Sequence, residues 1–227
     1  RHGPAVAVPA EADAVATAIS GLAGDPEGRR RMALAALRIC DGRGAARVAA
    51  AIDPPRARDG RPVTLRPATP ADAADLLAWR RDPAARAFAR NPEAPSEEEH
   101  ARWLVGRLAD PGCLINVILH GDAPAGTVRL DPRPGRSHCP YEVSINIAAG
   151  SRRLGIGRAA LALARRLVPE AGLCAYVMAG NSASRALFAD AGFQPAGEPD
   201  WYAAPPLAAE AGAGVAGPHA TMPAGAS

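Results

Sequence analysis

The chain has no lysine: all 26 of its basic residues are arginine. In a sequence also rich in Ala, Gly and Pro, this reads as coding bias, so a single arginine carries little information. Aromatic residues are scarce, at 4%, and the core is expected to be Leu, Val, Ile and Ala around a few large anchors. The arginines are dispersed apart from Arg29-Arg30-Arg31 and a turn near residue 155, with no dense basic stripe interleaved with aromatics. That excludes a nucleic-acid-binding footprint. The four cysteines, 113 and 139 among them, form no Cys-x-x-Cys and no Cys/His ligand spacing, which excludes a metal site. Each cysteine is expected to be a small apolar filler or a free thiol, and a reducing, cytoplasmic setting follows. No apolar run reaches membrane-spanning length, and no signal-peptide pattern opens the chain. The first residue is Arg1, not Met, so the chain is expected to start inside a longer product or to be trimmed.

What is present divides the 227 residues into unlike parts. Residues 1–52 read as helices with little between them. One is acidic and alanine-rich, over Glu11–Leu22. A second runs from about Asp25 to Cys40, with Met32, Ala35, Ala36 and Ile39 on one face, and a third carries Ala45, Val48, Ala49 and Ile52. Such a segment hides few apolar side chains and calls for a partner surface. Residues 53–62 are a Pro-, Arg- and Asp-rich linker that excludes regular structure, and the domain boundary is placed there. The tail from 207 to 227 is Ala, Gly and Pro and is expected to be disordered.

From Val63 the texture changes. Val63–Arg66 alternates as a strand. Thr69-Pro70-Ala71-Asp72 and Ser96-Glu97-Glu98-Glu99 are helix starts with capping residues. Leu114–Leu119 and Gly126–Leu130 are strand-length, with a turn at Gly121–Pro124 and a loop over Asp131–Pro140. In Tyr141–Ala148, Val143, Ile145 and Ile147 point to one face and Glu142, Ser144 and Asn146 to the other. Then comes Arg152-Arg153-Leu154-Gly155-Ile156-Gly157-Arg158, leading into a helical stripe of Ala160, Leu161, Ala164, Leu167 and Val168. A strand, a basic glycine turn and a helix present backbone N–H groups and a positive dipole end to a phosphate. A strand at Leu173–Met178, a helix opened by Asn181-Ser182-Ala183-Ser184, and a strand region after Phe193 complete the pattern.

The order β-α-α-β-β-β, basic glycine turn, α-β-α-β resembles the GNAT N-acetyltransferases. Three pieces carry the likeness: the Arg-x-x-Gly-x-Gly loop from Arg152 to Gly157, the Asn181, Ser184, Phe188, Gly192, Phe193 pattern, and the opening "VTLRPATPADAADLLAW". The resemblance implies an α/β (α+β) fold over residues 63–206, a central mixed, mostly antiparallel sheet flanked by helices. It implies acetyl-CoA as co-substrate and no metal. Trp79-Arg80-Arg81-Asp82-Pro83 with His100 and Trp103 is similar to acetyltransferases acting on nucleotide-linked amino sugars, although position 81 is Arg where they carry Asn. "GDPEGRRRMALAALRICDGRGAARVAAAI" resembles the C-terminal end of a nucleotide-sugar hydrolase of the pseudaminic acid pathway, which makes 1–52 the helical remnant of a glycosyltransferase-like domain.

The roles implied follow from what acetyl transfer needs. Arg152, Arg153, Leu154, Gly155, Ile156, Gly157 and Arg158 hold the diphosphate, and Asn181 reaches the pantetheine arm. A backbone N–H near Ile147 polarises the thioester carbonyl. Glu142 takes the amine's proton, ahead of His100 and His120. Phe188 stands where many members have a tyrosine acid, so Tyr141, Tyr202 or water is left to protonate the thiolate. Trp79, Arg80, His100 and Trp103 contact the acceptor. The expected partner is a small-molecule amine, with no nucleic acid and no membrane, and a homodimer is compatible with the sequence. The alternatives are an acceptor such as a protein N-terminus, or a non-catalytic acyl-CoA-binding domain.

Overall fold

The computed structural model describes residues 5–37, 51–91 and 93–207, with single positions 42, 44 and 48 between. Most of the third N-terminal helix and the tail after 207 lie outside the described residues. Helices α1 (Ala12–Gly24) and α2 (Pro26–Leu37) pair with each other. No residue of α1 is buried, and Val15, Ile19 and Leu34 stay exposed.

A seven-stranded sheet orders the rest, as β1-β2-β3-β4-β5-β7-β6. Its strands are β1 (Val63–Pro67), β2 (Leu114–His120), β3 (Ala123–Pro132), β4 (Tyr141–Ile147), β5 (Leu173–Tyr176), β6 (Gln194–Pro195) and β7 (Trp201–Ala204). All neighbours are antiparallel except β4 and β5. The helices between them are α3 (Ala73–Arg81), the short α4 (Pro83–Arg86), α5 (Glu97–Ala109), α6 (Ile156–Leu167) and α7 (Ser182–Asp190).

Two cores lie on opposite sheet faces because strand side chains alternate. On one face Val63, Ile118, Val128, Leu130 and Val143 pack under Ala160, Leu161 and Ala164 of α6. On the other, Ile115 and Val117 pack under Leu76 of α3 and Leu104 of α5, with Trp79 and Trp103 at the edge. The odd residues of β4 therefore face α6, and its even residues face α3.

Both predicted helix starts form capping boxes. At the first, the Asp72 side chain accepts from the Thr69 backbone N–H at 2.7 Å and from Arg66 at 2.6 and 2.9 Å. At the second, Ser96 and Glu99 exchange bonds. The Arg66 guanidinium, with the Thr69 bonds, pulls the Asp72 carboxyl down to about 2 from 3.8. A depressed carboxyl stabilises the fold above its unfolded pKa and loses that contribution as pH falls through its folded one. Asp72→Asn is therefore expected to cost about 2 kcal/mol at neutral pH, a difference that shrinks below about pH 5 and is gone by about pH 1. Denaturant melts of both proteins across that pH range measure it.

Two sequence expectations need correcting here. Gly121–Pro124 is not all turn, since β3 already starts at Ala123 and is ten residues long. Cys139 and Cys174 are not free thiols but a disulfide, with their Cα atoms 5.8 Å apart. Cys174 sits on β5 beside the first residues of β4, while Cys139 ends the loop that enters β4. The sheet brings them together, so their 35-residue separation carries no spacing signal. Among the described residues, Cys113 alone is free, and it is buried, with its thiol pushed up to about 12 by burial and then by Asp131. The cysteines thus give no argument for a reducing compartment. Among the described residues, no helix is long and apolar enough to cross a membrane.

Candidate active site

The site begins where the sheet comes apart. β4 and β5 pair at only two positions, Tyr141 with Leu173 and Glu142 with Cys174. Beyond them β4 runs on to Ile147 against β3 alone, while β5 is held by β7. The result is a wedge-shaped opening between two parallel strands. Ala148 N donates to Ala125 O at 2.9 Å. Antiparallel bonding alternates along the strand, so the odd N–H groups point away from β3: that of Val143 towards the last pairing with β5, those of Ile145 and Ile147 into the opening.

The glycine turn closes the end of that opening. Arg153 and Gly155 take positive φ, 66° and 79°, and Gly155 is the N-cap of α6. A left-handed cap favours glycine. Gly157 is there for a different reason: a Cβ on it would lie 3.1 Å from Leu187 of α7. Its bare backbone lets two helices approach, whatever binds in front.

The turn is braced from behind by the 53–62 stretch. This stretch lacks regular structure but forms a tight loop, with an Arg56–Pro62 bridge, Ala57 buried in the α6-side core, and Asp59 bonded to His120 at 3.0 Å. The Arg58 N–H donates to Leu154 O at 2.8 Å, and its Nη1 donates to Arg153 O at 3.2 Å. The turn's carbonyls are thus held backwards. The unpaired N–H groups of the first turn of α6 are left to face outwards. Exposed Arg58, Arg153 and Arg158 surround them.

Arg152 behaves differently. Its Nε donates to Ile147 O at 3.1 Å, and its Nη2 donates to Asp82 at 2.6 Å. Asp82 in turn caps α4 through the Ala85 N–H, and the Arg152 interaction holds its carboxyl below the usual range. Arg152 ties the turn to the α3–α4 junction and has its charge matched there. Asn181 accepts from Ser184 N at 3.0 Å as the N-cap of α7. Leu154 and Ile156 are packed inward.

The polar face of β4 carries the remaining candidates. Glu142 pairs with Arg90 at 2.9 Å, and Asn146 Nδ2 donates to the Trp79 carbonyl at 2.6 Å. Trp79, Arg80, His100 and Trp103 do come together. Arg80 lies 4.4 Å from the centre of the Trp103 ring, and His100 stacks on Trp103 at 5.4 Å. His100 is buried between α5 and α3 with neither ring nitrogen hydrogen-bonded, and burial and then Arg80 push its pKa down. Arg80 is half-buried, with its pKa pushed down by burial and then by Arg129 and Arg86. No carboxylate among the described residues pairs with it.

Tyr141 is not brought together with Glu142. Adjacent residues of a strand face opposite ways, and Tyr141 packs on the α6 side. Tyr202 is on that side too, buried, with its hydroxyl accepting from Arg185 Nε at 2.8 Å. Phe188 is buried against Phe193. His120 is engaged by Asp59, away from the opening.

Four contributors escaped the sequence reading: Arg58, Arg90, Tyr176 and Trp201. Arg90 lies over Tyr176 at 4.3 Å and Trp201 at 5.2 Å. Tyr176 and Trp201 are cross-strand partners on β5 and β7, a pairing that nothing local in the sequence signals.

The acetyltransferase (GNAT) domain family matches residues 63–194. Among solved structures, an acetyltransferase from Thermus thermophilus is 25% identical, with TM-score 0.55 over 63% of this chain and 96% of that one. A ribosomal-protein-alanine N-acetyltransferase from Brucella melitensis is 28% identical, with TM-score 0.53 over 63% and 99%. AAC(6')-Ib in complex with paromomycin and acetyl-CoA shares the fold at 19% identity, with TM-score 0.55 over 65% and 96%. No curated protein matches the chain.

Proposed function

The chain belongs to the GNAT acetyltransferase family, and from that premise we propose that it moves acetyl from acetyl-CoA to a primary amine by direct attack in a ternary complex. The observation that carries this is the wedge between β4 and β5, ending at a turn whose N–H groups face outwards. A thioester arm threaded along β4 would meet the N–H groups of Ile145 and Ile147 as oxyanion donors. The diphosphate would rest on the N-terminus of α6, with Arg58, Arg153 and Arg158 adding charge.

Holding amine and thioester together supplies much of the rate. Glu142, on the polar face, takes the proton the amine must lose, directly or through water. With phenylalanine at 188 and the acid candidates Tyr141 and Tyr202 on the other face, the thiolate leaves unprotonated or takes its proton from water. CoA thiolate tolerates this near neutral pH.

The acceptor we favour is a nucleotide-linked deoxyamino sugar. Its support is Arg80: a half-buried guanidinium without a carboxylate partner among the described residues calls for an anion from the ligand. A diphosphate supplies one. On this reading residues 1–52 are a remnant of a nucleotide-sugar hydrolase, and the two parts belong to one pathway, with the protein cytoplasmic. A second reading, a protein N-terminus as acceptor, is favoured by the Brucella melitensis relative.

Free-thiol release from acetyl-CoA separates these readings when run with a UDP-4-amino-4,6-dideoxy sugar, an aminoglycoside and an alanine-initiated peptide. The nucleotide sugar should turn over fastest. Turnover only with the peptide would overturn the acceptor assignment. Binding of CoA with turnover on no amine would overturn the activity.

A further inference from the structure

The least expected feature of the polar face is what Arg90 does. It stands in the segment between α4 and α5, and its side chain is half-exposed, so it is free to stay in water. Instead its Nη2 is 2.9 Å from Glu142 Oε1, and its guanidinium carbon is 4.3 Å from the centre of the Tyr176 ring and 5.2 Å from that of Trp201. A carboxylate with two aromatic faces is a receptor for a cation. These three residues come from β4, β5 and β7, at the place where β4 and β5 begin to part. A protonated primary amine makes the same contacts as a guanidinium: N–H donors to a carboxylate, and positive charge over the rings.

We infer that Glu142, Tyr176 and Trp201 form the subsite for the acceptor's ammonium group, and that Arg90 is its resident occupant, which the acceptor displaces. The inference rests on the acetyltransferase reading for the identity of the ligand, but not for the existence of the cation site.

The charges around the subsite fit an exchange of one cation for another. Glu142 is its carboxylate. Asp131, opposite Glu142 in register, is already engaged by Arg129 and Arg107. Arg133 lies 4.0 Å from the centre of the Trp201 ring and 2.9 Å from Cys174 Sγ. It gives that side of the site a positive charge that Arg90 does not need to supply. When the acceptor's ammonium replaces Arg90, its nitrogen is placed on Glu142, the group proposed to receive its proton. A site open for only a fraction of the time binds its ligand more weakly by that fraction.

The test is a titration of tryptophan fluorescence in the full chain with butylammonium chloride, without acetyl-CoA. Arg90→Ala, and Arg90→Gln as a variant that keeps a polar side chain but removes the charge, should bind butylammonium about tenfold more tightly than the parent, as expected if Arg90 fills the site about nine-tenths of the time. Adding Glu142→Gln to Arg90→Ala should abolish the gain, and Trp201→Phe should abolish the spectral change while Trp79 and Trp103 remain. Binding by the Arg90 variants that is no tighter than the parent's would overturn the inference, as would a gain that survives Glu142→Gln. Because no acetyl group moves in this experiment, failure of every amine to turn over would sink the activity and leave the cation site standing.

Discussion

Gly126→Ala is expected to destabilise the protein by about 2–6 kcal/mol, from two costs of about 1–3 kcal/mol each, backbone strain and overpacking. Gly126 holds φ at 149°, where a side chain is strained. A Cβ built on it would lie 2.2 Å from the carbonyl oxygen of Asn146 and 3.0 Å from the Cα of Ile147. Both contacts are backbone, so no rotamer change relieves them. β3 or β4 must move. For a chain of this size each kcal/mol lowers Tm by about 2–4 °C, so a fall on the order of 10 °C is expected by calorimetry.

The damage should also be directed. Gly126 pairs with Ile147, the last residue of β4 and the acceptor for Arg152. Pushing Ile147 outwards disturbs the wedge wall and the turn together, so KM for acetyl-CoA should rise in whatever protein stays folded. Gly106→Ala is the control, because that glycine is exposed within α5 and has nothing within 4 Å of a built Cβ. It should stabilise by about 0.5–1 kcal/mol through helix propensity. Equal losses from the two substitutions would show that glycine content, not the close approach at residue 126, sets the cost.

The two glycines of the turn mark how far the sequence is legible. Arg152 to Gly157 pointed to a glycine turn between a strand and a helix, and such a turn joins β4 to α6. The reasons for its residues were not local. Gly155 is needed for its left-handed cap, but Gly157 answers to Leu187, thirty residues on. Arg152, which reads as a phosphate ligand, is spent on Ile147 and Asp82. Arg58 lies in a stretch that composition reads as a linker. Prolines do exclude a ladder there, yet they do not prevent a short loop from docking on a turn.

The capping boxes at Thr69 and Ser96 were legible because every partner lies within three residues. The parity of β4 was legible for the same reason, and it placed Glu142 on the polar face. What faces Glu142 depends on strand order. Tyr176 and Trp201 meet only because β7 returns beside β5, and Cys139 meets Cys174 only because β5 lies beside β4. Pairings of this kind are set by the sheet as a whole, so local periodicity could not announce them.

Glu142→Gln is expected to lower kcat for amine acetylation by about 10²–10⁴-fold at neutral pH, the range that a positioned proton acceptor contributes. The substitution keeps shape and removes only charge and basicity. Its ion pair with Arg90 is half-exposed on the arginine side, and such pairs contribute less than about 1 kcal/mol, so the fold should persist and thermal melts should nearly coincide. A residue that merely positions its neighbours would give a loss independent of pH. A base that removes the acceptor's proton becomes dispensable once the amine is neutral in solution, so the gap between parent and variant should narrow as pH approaches the amine's own pKa. The same logic couples Glu142 to Arg90. With the carboxylate gone, Arg90 has no ion-pair partner in the site, and Arg90→Ala should change kcat/KM much less in the Glu142→Gln background than in the parent. Parallel pH–rate curves, or fully additive effects of the two substitutions, would remove Glu142 from the proton's path and leave it as a ligand for Arg90 alone.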